Sequence, residues 1–153
     1  MTHDPQAEKA YDWEASFAHS TVKGFAKIHQ ARRWIRWACK KYKVPPPIVI
    51  EQLKTRQFSA YRPYDHRIWI HHKHSNIWTA LHEAAHAISR HLFDDGTHGP
   101  KWLGIYIYLL STAGIAPYVA LSKSAKAMGL RHSYMGNIGA NKVYRRMSIH
   151  SPV

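Results

Sequence analysis

The sequence predicts an α+β domain, and three observations carry that reading. Apolar residues recur at spacings of three and four over Thr21 to Tyr42, around Leu81 and again beyond Pro100, the period of amphipathic helices. Between the first two runs lie short β-branched and aromatic stretches, Ile48-Val49-Ile50, Phe58 to Tyr61 and Arg67 to His71, separated by proline and turn residues. With 153 residues, 45% of them hydrophobic, the chain is long enough for one domain with a real core. Three units are expected along it: an N-terminal arm over 1–20, a folded domain over 21–130 and a basic tail over 131–153.

The first ten residues are polar and lack the apolar centre of a signal peptide. No run approaches 18 uninterrupted apolar residues, so no membrane partner is expected. Cys39 is the single cysteine, which excludes an internal disulfide framework and fits a reducing, cytoplasmic compartment.

Thr21 to Tyr42 predicts a long helix whose stripe is Ile28, Ala31, Ile35, Ala38 and Tyr42, with Lys27, Arg32, Arg36, Lys40 and Lys43 mostly off it. Trp34 and Trp37 fall beside the stripe, half buried, and Pro45-Pro46-Pro47 ends the helix. The three short strands that follow predict a small antiparallel sheet, with Ile68-Trp69-Ile70 as an edge strand leading into the next helix. His71, His72 and His74 stand at a strand end and a turn, where a solvated or capping role outweighs a second metal site. Ser75 or Asn76 is the expected cap of the following helix.

That helix contains Leu81-His82-Glu83-Ala84-Ala85-His86-Ala87, a H-E-x-x-H motif. Residues four apart lie about 40° from one another and one turn along the axis. His82 and His86 therefore present two imidazoles on one face, close enough to share an ion, and Glu83 flanks that face. Zinc accepts neutral imidazole and acidifies water, and a carboxylate beside it can accept the proton. In a chain with 13 histidines the five letters alone decide little. The apolar stripe Ile77, Leu81, Ala84, Ala85, Ile88 and Leu92 adds weight, because it buries the helix and leaves small residues for close approach.

A third ligand is needed. Beyond Glu83 the only carboxylates are Asp94 and Asp95, which excludes an acidic ligand from any helix well downstream. The extended motif H-E-x-x-H-x-x-G-x-x-H fails because Ser89 and Leu92 occupy its Gly and third His positions. His91 lies about 140° around the helix from His86 and points away. His98 remains the leading candidate, at a junction between the Asp94-Asp95-Gly96 turn and a helix opening at Pro100. Asp94 and Asp95 are weaker candidates, better suited to ending the helix. The next helix runs from about Pro100 to Thr112 with Leu103, Tyr106, Ile107 and Leu110 inward, and Gly114 breaks it. Another spans Pro117 to Met128 and closes at Gly129. The tail from Arg131, with Gly136, Gly139, Arg145 and Arg146, has weak periodicity and reads as a mobile basic arm.

H-E-A-A-H, an eleven-residue spacer and then His98-Gly99-Pro100-Lys101-Trp102 resemble the SprT-like zinc metalloprotease domain, to which Spartan-type DNA–protein crosslink proteases belong. The resemblance is specific over Ile68 to Leu110. It continues loosely through Leu121 to Ala125 and Gly129, in the manner of small bacterial and phage SprT-like proteins. It implies a zincin-like core, one Zn²⁺ per chain held by His82, His86 and His98, and Glu83 as general base. It also implies protein or peptide substrates. The chain lacks the cysteine-rich zinc ribbon that many members carry after this core.

Charge bears on partners. The formal net charge is +13, and residues 96–153 hold seven basic side chains and no carboxylate. Such an excess attracts phosphate polyanions and acidic proteins alike. Weak DNA binding is the expectation, through Arg32, Arg33 and Arg36 on the N-terminal helix or Arg145 and Arg146 in the tail. The expected activity is peptide-bond hydrolysis. The alternative is a zinc-stabilised basic module that binds nucleic acid or a protein partner without catalysis; there His91, His71 or His132 would close the fourth metal position. Tyr106, Tyr118 and His132 are the groups chemically able to steady an oxyanion.

Overall fold

The H-E-x-x-H helix runs through the middle of the molecule, and the other elements are arranged on its faces. In a computed structural model, residues 3–18, 24–25, 27–52 and 59–136 are described. The elements are α1 (Ala7–Ala18), α2 (Ile28–Lys41), β1 (Ile48–Gln52), β2 (Ala60–Arg62), β3 (Arg67–His71), a 3-10 turn (His72–His74), α3 (Ile77–Phe93), α4 (Pro100–Thr112) and α5 (Tyr118–Ala127). This is an α+β architecture: five helices and a three-stranded sheet among the described residues.

Helix α3 begins where Asn76 Oδ1 accepts the Thr79 N–H at 2.9 Å, so Asn76, not Ser75, is its cap. It ends at Asp94, which takes the left-handed conformation at φ 52°. Every residue from Ala80 to Ser89 is buried, because α2 covers one flank and α4 the other. The fully buried Ala84 and Ala85 permit both approaches. On α2, Ala31, Ile35, Ala38 and Tyr42 are buried as the stripe requires, while Trp34 and Trp37 are half buried and meet edge to face, 5.2 Å between centroids.

Four expectations change. Helix α2 opens at Ile28, not near Thr21; the Gln30 side chain accepts the Lys27 backbone N–H at 3.1 Å and turns the chain into the helix. Thr21 to Lys23 lie outside the described residues. The sheet is mixed, in the order β1-β3-β2, with β1 parallel and β2 antiparallel to β3. Strand β3 is therefore central. Its residues Ile68 and Ile70 are fully buried, as a strand flanked on both sides demands, and β2 is the edge strand near α3.

The N-terminal segment, expected as an arm, is built into the core. Trp13 is fully buried, donates its indole N–H to Ser124 Oγ of α5 at 2.8 Å and meets Tyr106 of α4 edge to face. The chain beyond α5 also docks, at least to Gly136. Ser133 N–H donates to the Pro100 carbonyl at 3.0 Å, and Tyr42 Oη donates to the Met135 carbonyl at 3.0 Å. Gly104 makes this possible: a Cβ there would stand 1.9 Å from the Ser133 carbonyl oxygen. Gly139, Arg145 and Arg146 lie outside the described residues. Among the described residues no helix is long and apolar enough to cross a membrane.

Candidate metal centre

Helical spacing sets His82 and His86 on the same face of α3, and the loop after Asp94 brings His98 onto it. Asp95 Oδ1 accepts both the backbone N–H of Thr97, at 2.9 Å, and its hydroxyl, at 2.7 Å, so Asp95 shapes the loop. Asp94 caps α3 and pairs with Arg90 at 3.2 Å. Neither carboxylate reaches the histidines. Pro100 at the first turn of α4 fixes where the loop ends.

The three imidazoles are buried and converge. His98 Nε2 lies 3.1 Å from His86 Nε2 and 3.3 Å from His82 Nε2. Two nitrogens bonded tetrahedrally to one zinc at about 2.05 Å would stand about 3.3 Å apart. This cluster could hold a metal ion, and it is the only such group of histidine, cysteine and carboxylate atoms among the described residues. His91 is exposed on the far side of α3, and His71 Nδ1 accepts the Lys73 backbone N–H. His132 Nε2 bonds with Ser122 Oγ at 2.9 Å beside α5. None of the three closes a fourth position.

Two carboxylates that sequence reasoning missed stand behind the ligands. Glu14 Oε2 lies 2.8 Å from His82 Nδ1, and Asp4 Oδ2 lies 2.7 Å from His98 Nδ1. Such partners place the proton on Nδ1 and turn the Nε2 lone pair inward, the arrangement typical of metal-binding histidines. Asp4 also accepts the His98 backbone N–H. Gln6 donates to the carbonyls of His98 and Arg131 and accepts the Arg131 N–H. Residues 4–14 thus clasp the third-ligand loop. A signal was present: four of the nine acidic residues of this basic chain fall between Asp4 and Glu14, and Ala10, Trp13 and Phe17 mark a helix there.

Electrostatics follow from burial and these pairings. Burial alone would depress His82, but Glu14 and then Glu83 carry it above the ordinary imidazole range. His86 has no carboxylate behind it; burial, then the charges of His82 and His98, hold it well below that range. For His98 burial outweighs Asp4, and its pKa is lowered. Burial raises Glu14, yet His82 and the bond from Tyr106 bring it below the usual carboxylate value. Glu83, whose Oε1 is 4.0 Å from His82 Nε2, is pushed up to about 7 by burial and by the Glu14 charge.

Trp102 forms the floor. It is fully buried, stacks on His86 at 5.2 Å and 26°, and directs its indole N–H at the His82 carbonyl. Above the histidines two clefts open. One, of about 710 Å³, is lined by Tyr11, Glu14, Ser59, Ala60, Thr79, His82 and Glu83. The other, about 440 Å³, includes Tyr11, Ser59, Ala60, Glu83, His86, Arg90 and His98. Both run against β2, so a molecule in either reaches Glu83.

The arginines expected to meet nucleic acid separate. Arg33 and Arg36 are exposed on α2, whereas Arg32 donates from Nε to the Val49 carbonyl at 3.2 Å and ties α2 to β1. Phe25, Gln30, Arg33, Trp34 and Trp37 line a concavity of about 480 Å³ on this face.

Comparisons of the chain with protein-family models, with curated proteins and with solved structures found no match.

Proposed function

We propose that this chain is a zinc-dependent peptidase of SprT-like type, with Nε2 of His82, His86 and His98 as ligands and Glu83 as general base. The observation that carries the reading is three inward Nε2 atoms with the buried Glu83 carboxylate beside them, its Oε1 4.0 Å from His82 Nε2. Zinc, when bound, polarises a carbonyl and makes water acidic near neutral pH. Glu83 accepts the proton of the attacking water and delivers it to the leaving amine nitrogen, a transfer open to a carboxylate held beside the ligand set. Among the described residues the outer edge of β2 is unpaired, and it offers backbone N–H and C=O groups to an extended peptide lying in the clefts.

Glu83→Gln tests this. The amide keeps the side-chain shape and removes its basicity. Zinc content and folding are expected to survive while proteolysis of unfolded protein falls by at least about 100-fold. Equal activity in wild type and Glu83→Gln rejects the mechanism.

A second reading, a zinc-stabilised basic module, draws on the α2 concavity. Exposed arginines beside half-buried tryptophans suit a single-stranded nucleic acid, whose phosphates need cations and whose bases stack. In that reading no cleavage occurs in either protein, yet zinc is retained. DNA as a partner, weakly bound, belongs to both readings. So does a cytoplasmic site of action, in keeping with the buried free thiol of Cys39.

A further inference from the structure

Glu83 and three histidines supply a base and a ligand set, but acyl transfer also needs a donor for the oxygen that gains charge when the carbonyl is attacked. Tyr106 is fully buried and its hydroxyl proton is directed at Glu14, with the Trp78 carbonyl as its other neighbour. Tyr118 opens α5 and His132 follows that helix, and neither lines either cleft. Tyr61 lines the smaller cleft, but its hydroxyl bonds with His66 Nδ1 at 2.9 Å. Arg90 is drawn to Asp94.

Tyr11 differs from all of these. Its ring lies over His82, 5.6 Å between centroids at 20°, and over His98 at 5.0 Å. It lines both clefts together with Glu83. The side chain is half exposed, at 52%, and no hydrogen bond occupies its hydroxyl among the described residues. One turn of α1 separates it from Glu14, so the helix that backs His82 also carries a free phenol to the mouth of the site.

The geometry points to Tyr11 as the catalytic hydrogen-bond donor that stabilises the tetrahedral oxygen during peptide hydrolysis, an assignment that rests on the peptidase reading above. As water oxygen bonds to the carbonyl carbon, the C=O π pair moves onto the carbonyl oxygen. The Tyr11 hydroxyl donates to that oxygen and keeps its own proton, and no bond to Tyr11 forms or breaks. Ser59 is the competing hydroxyl that, like Tyr11, lines both clefts with no acceptor for its proton among the described residues: its oxygen accepts the His71 N–H at 2.8 Å.

The test uses the zinc-loaded full chain with a fluorogenic peptide and, separately, calorimetric binding of a phosphinic peptide that mimics the tetrahedral anion. Tyr11→Phe keeps the ring over His82 and His98, so zinc affinity and melting temperature stay at the wild-type values. It lowers kcat about 100-fold with KM within about twofold, the signature of a donor used only in the transition state. It also weakens the phosphinic peptide about 10-fold or more, with a substrate-like peptide unaffected. Tyr11→Phe matching wild type in kcat and in phosphinic affinity overturns the assignment. So does a loss that appears in Ser59→Ala instead, or a fall in zinc affinity, which would make Tyr11 a ligand. Failure of the underlying reading looks different: no turnover and no phosphinic binding by wild type, or undiminished turnover in Glu83→Gln.

Discussion

The inner face of α3 and the outer face of α2 both present nitrogen-rich side chains, yet they are organised in opposite ways. On α3 the imidazoles are buried, two are backed by carboxylates, and a tryptophan floor fixes their planes. On α2, Arg33 and Arg36 project into solvent and Lys41 lies over the Trp37 ring at 5.2 Å. A metal demands fixed lone pairs, and fixing them requires partners outside the ligand set. A polyanion demands only positive potential, which exposed and mobile cations provide. Asp4 and Glu14 supply those partners at the inner face of α3, and among the described residues nothing comparable holds Arg33 or Arg36.

Removing a ligand should break this contrast most completely. His98→Ala should lose nearly all stoichiometric zinc by metal analysis; full zinc in that variant would remove His98 from the site. In wild type, zinc at about 1,000 times its Kd should add about 4 kcal/mol. That is about 10 °C in melting temperature for a domain of this size, reversed by chelator. An unchanged melt would argue that no metal binds the folded state.

The next effect is that of the carboxylates behind the ligands. Asp4→Asn and Glu14→Gln should each weaken zinc about 10- to 100-fold in a competition titration. Glu8→Gln, on an exposed position of α1, serves as the control and should leave it unchanged. If all three behave alike, the clasp has no bearing on the metal.

Gly104→Ala probes the docking of residues 133–135 on α4. Its methyl group collides with the Ser133 carbonyl, and overpacking of this kind costs about 1–3 kcal/mol. Denaturant unfolding should show that loss; wild-type stability would mean the segment is readily displaced.

The smallest effects belong to α2. Replacing Arg33 and Arg36 with Gln should flatten the slope of log K against log salt for single-stranded DNA by about 1.4 units, about 0.7 per phosphate contact. Arg32→Gln should spare the slope and cost stability instead, because its guanidinium is engaged with Val49. A slope unchanged in the double variant moves the DNA surface away from α2.

Local patterns made much of this legible. The stripe on α2, the cap and end of α3, Pro100 at the start of α4 and the breaks at Gly114 and Gly129 all depend on neighbours within a turn or two. His82, Glu83 and His86 share a helix, so their shared face follows from helical geometry alone, and His98 emerged because few other ligands were available. Sheet order did not follow, since β1 and β3 are parallel neighbours although β2 lies between them in sequence, a crossover that local alternation cannot reveal. The clasp was equally hidden: Glu14 and His82 are 68 positions apart, and Asp4 and His98 are 94 apart.

The sequence by itself determined which residues could meet a metal, because ligand chemistry and helical period are properties of a short stretch. Only the tertiary structure decided which nitrogen of His82 and of His98 faces inward, since that depends on carboxylates delivered by the remote N-terminal segment. It also separated the tyrosines, sealing Tyr106 against Glu14 and leaving Tyr11 at the mouth. Exposure and hydrogen-bond partners arise from packing between distant segments, and they distinguish chemically identical phenols.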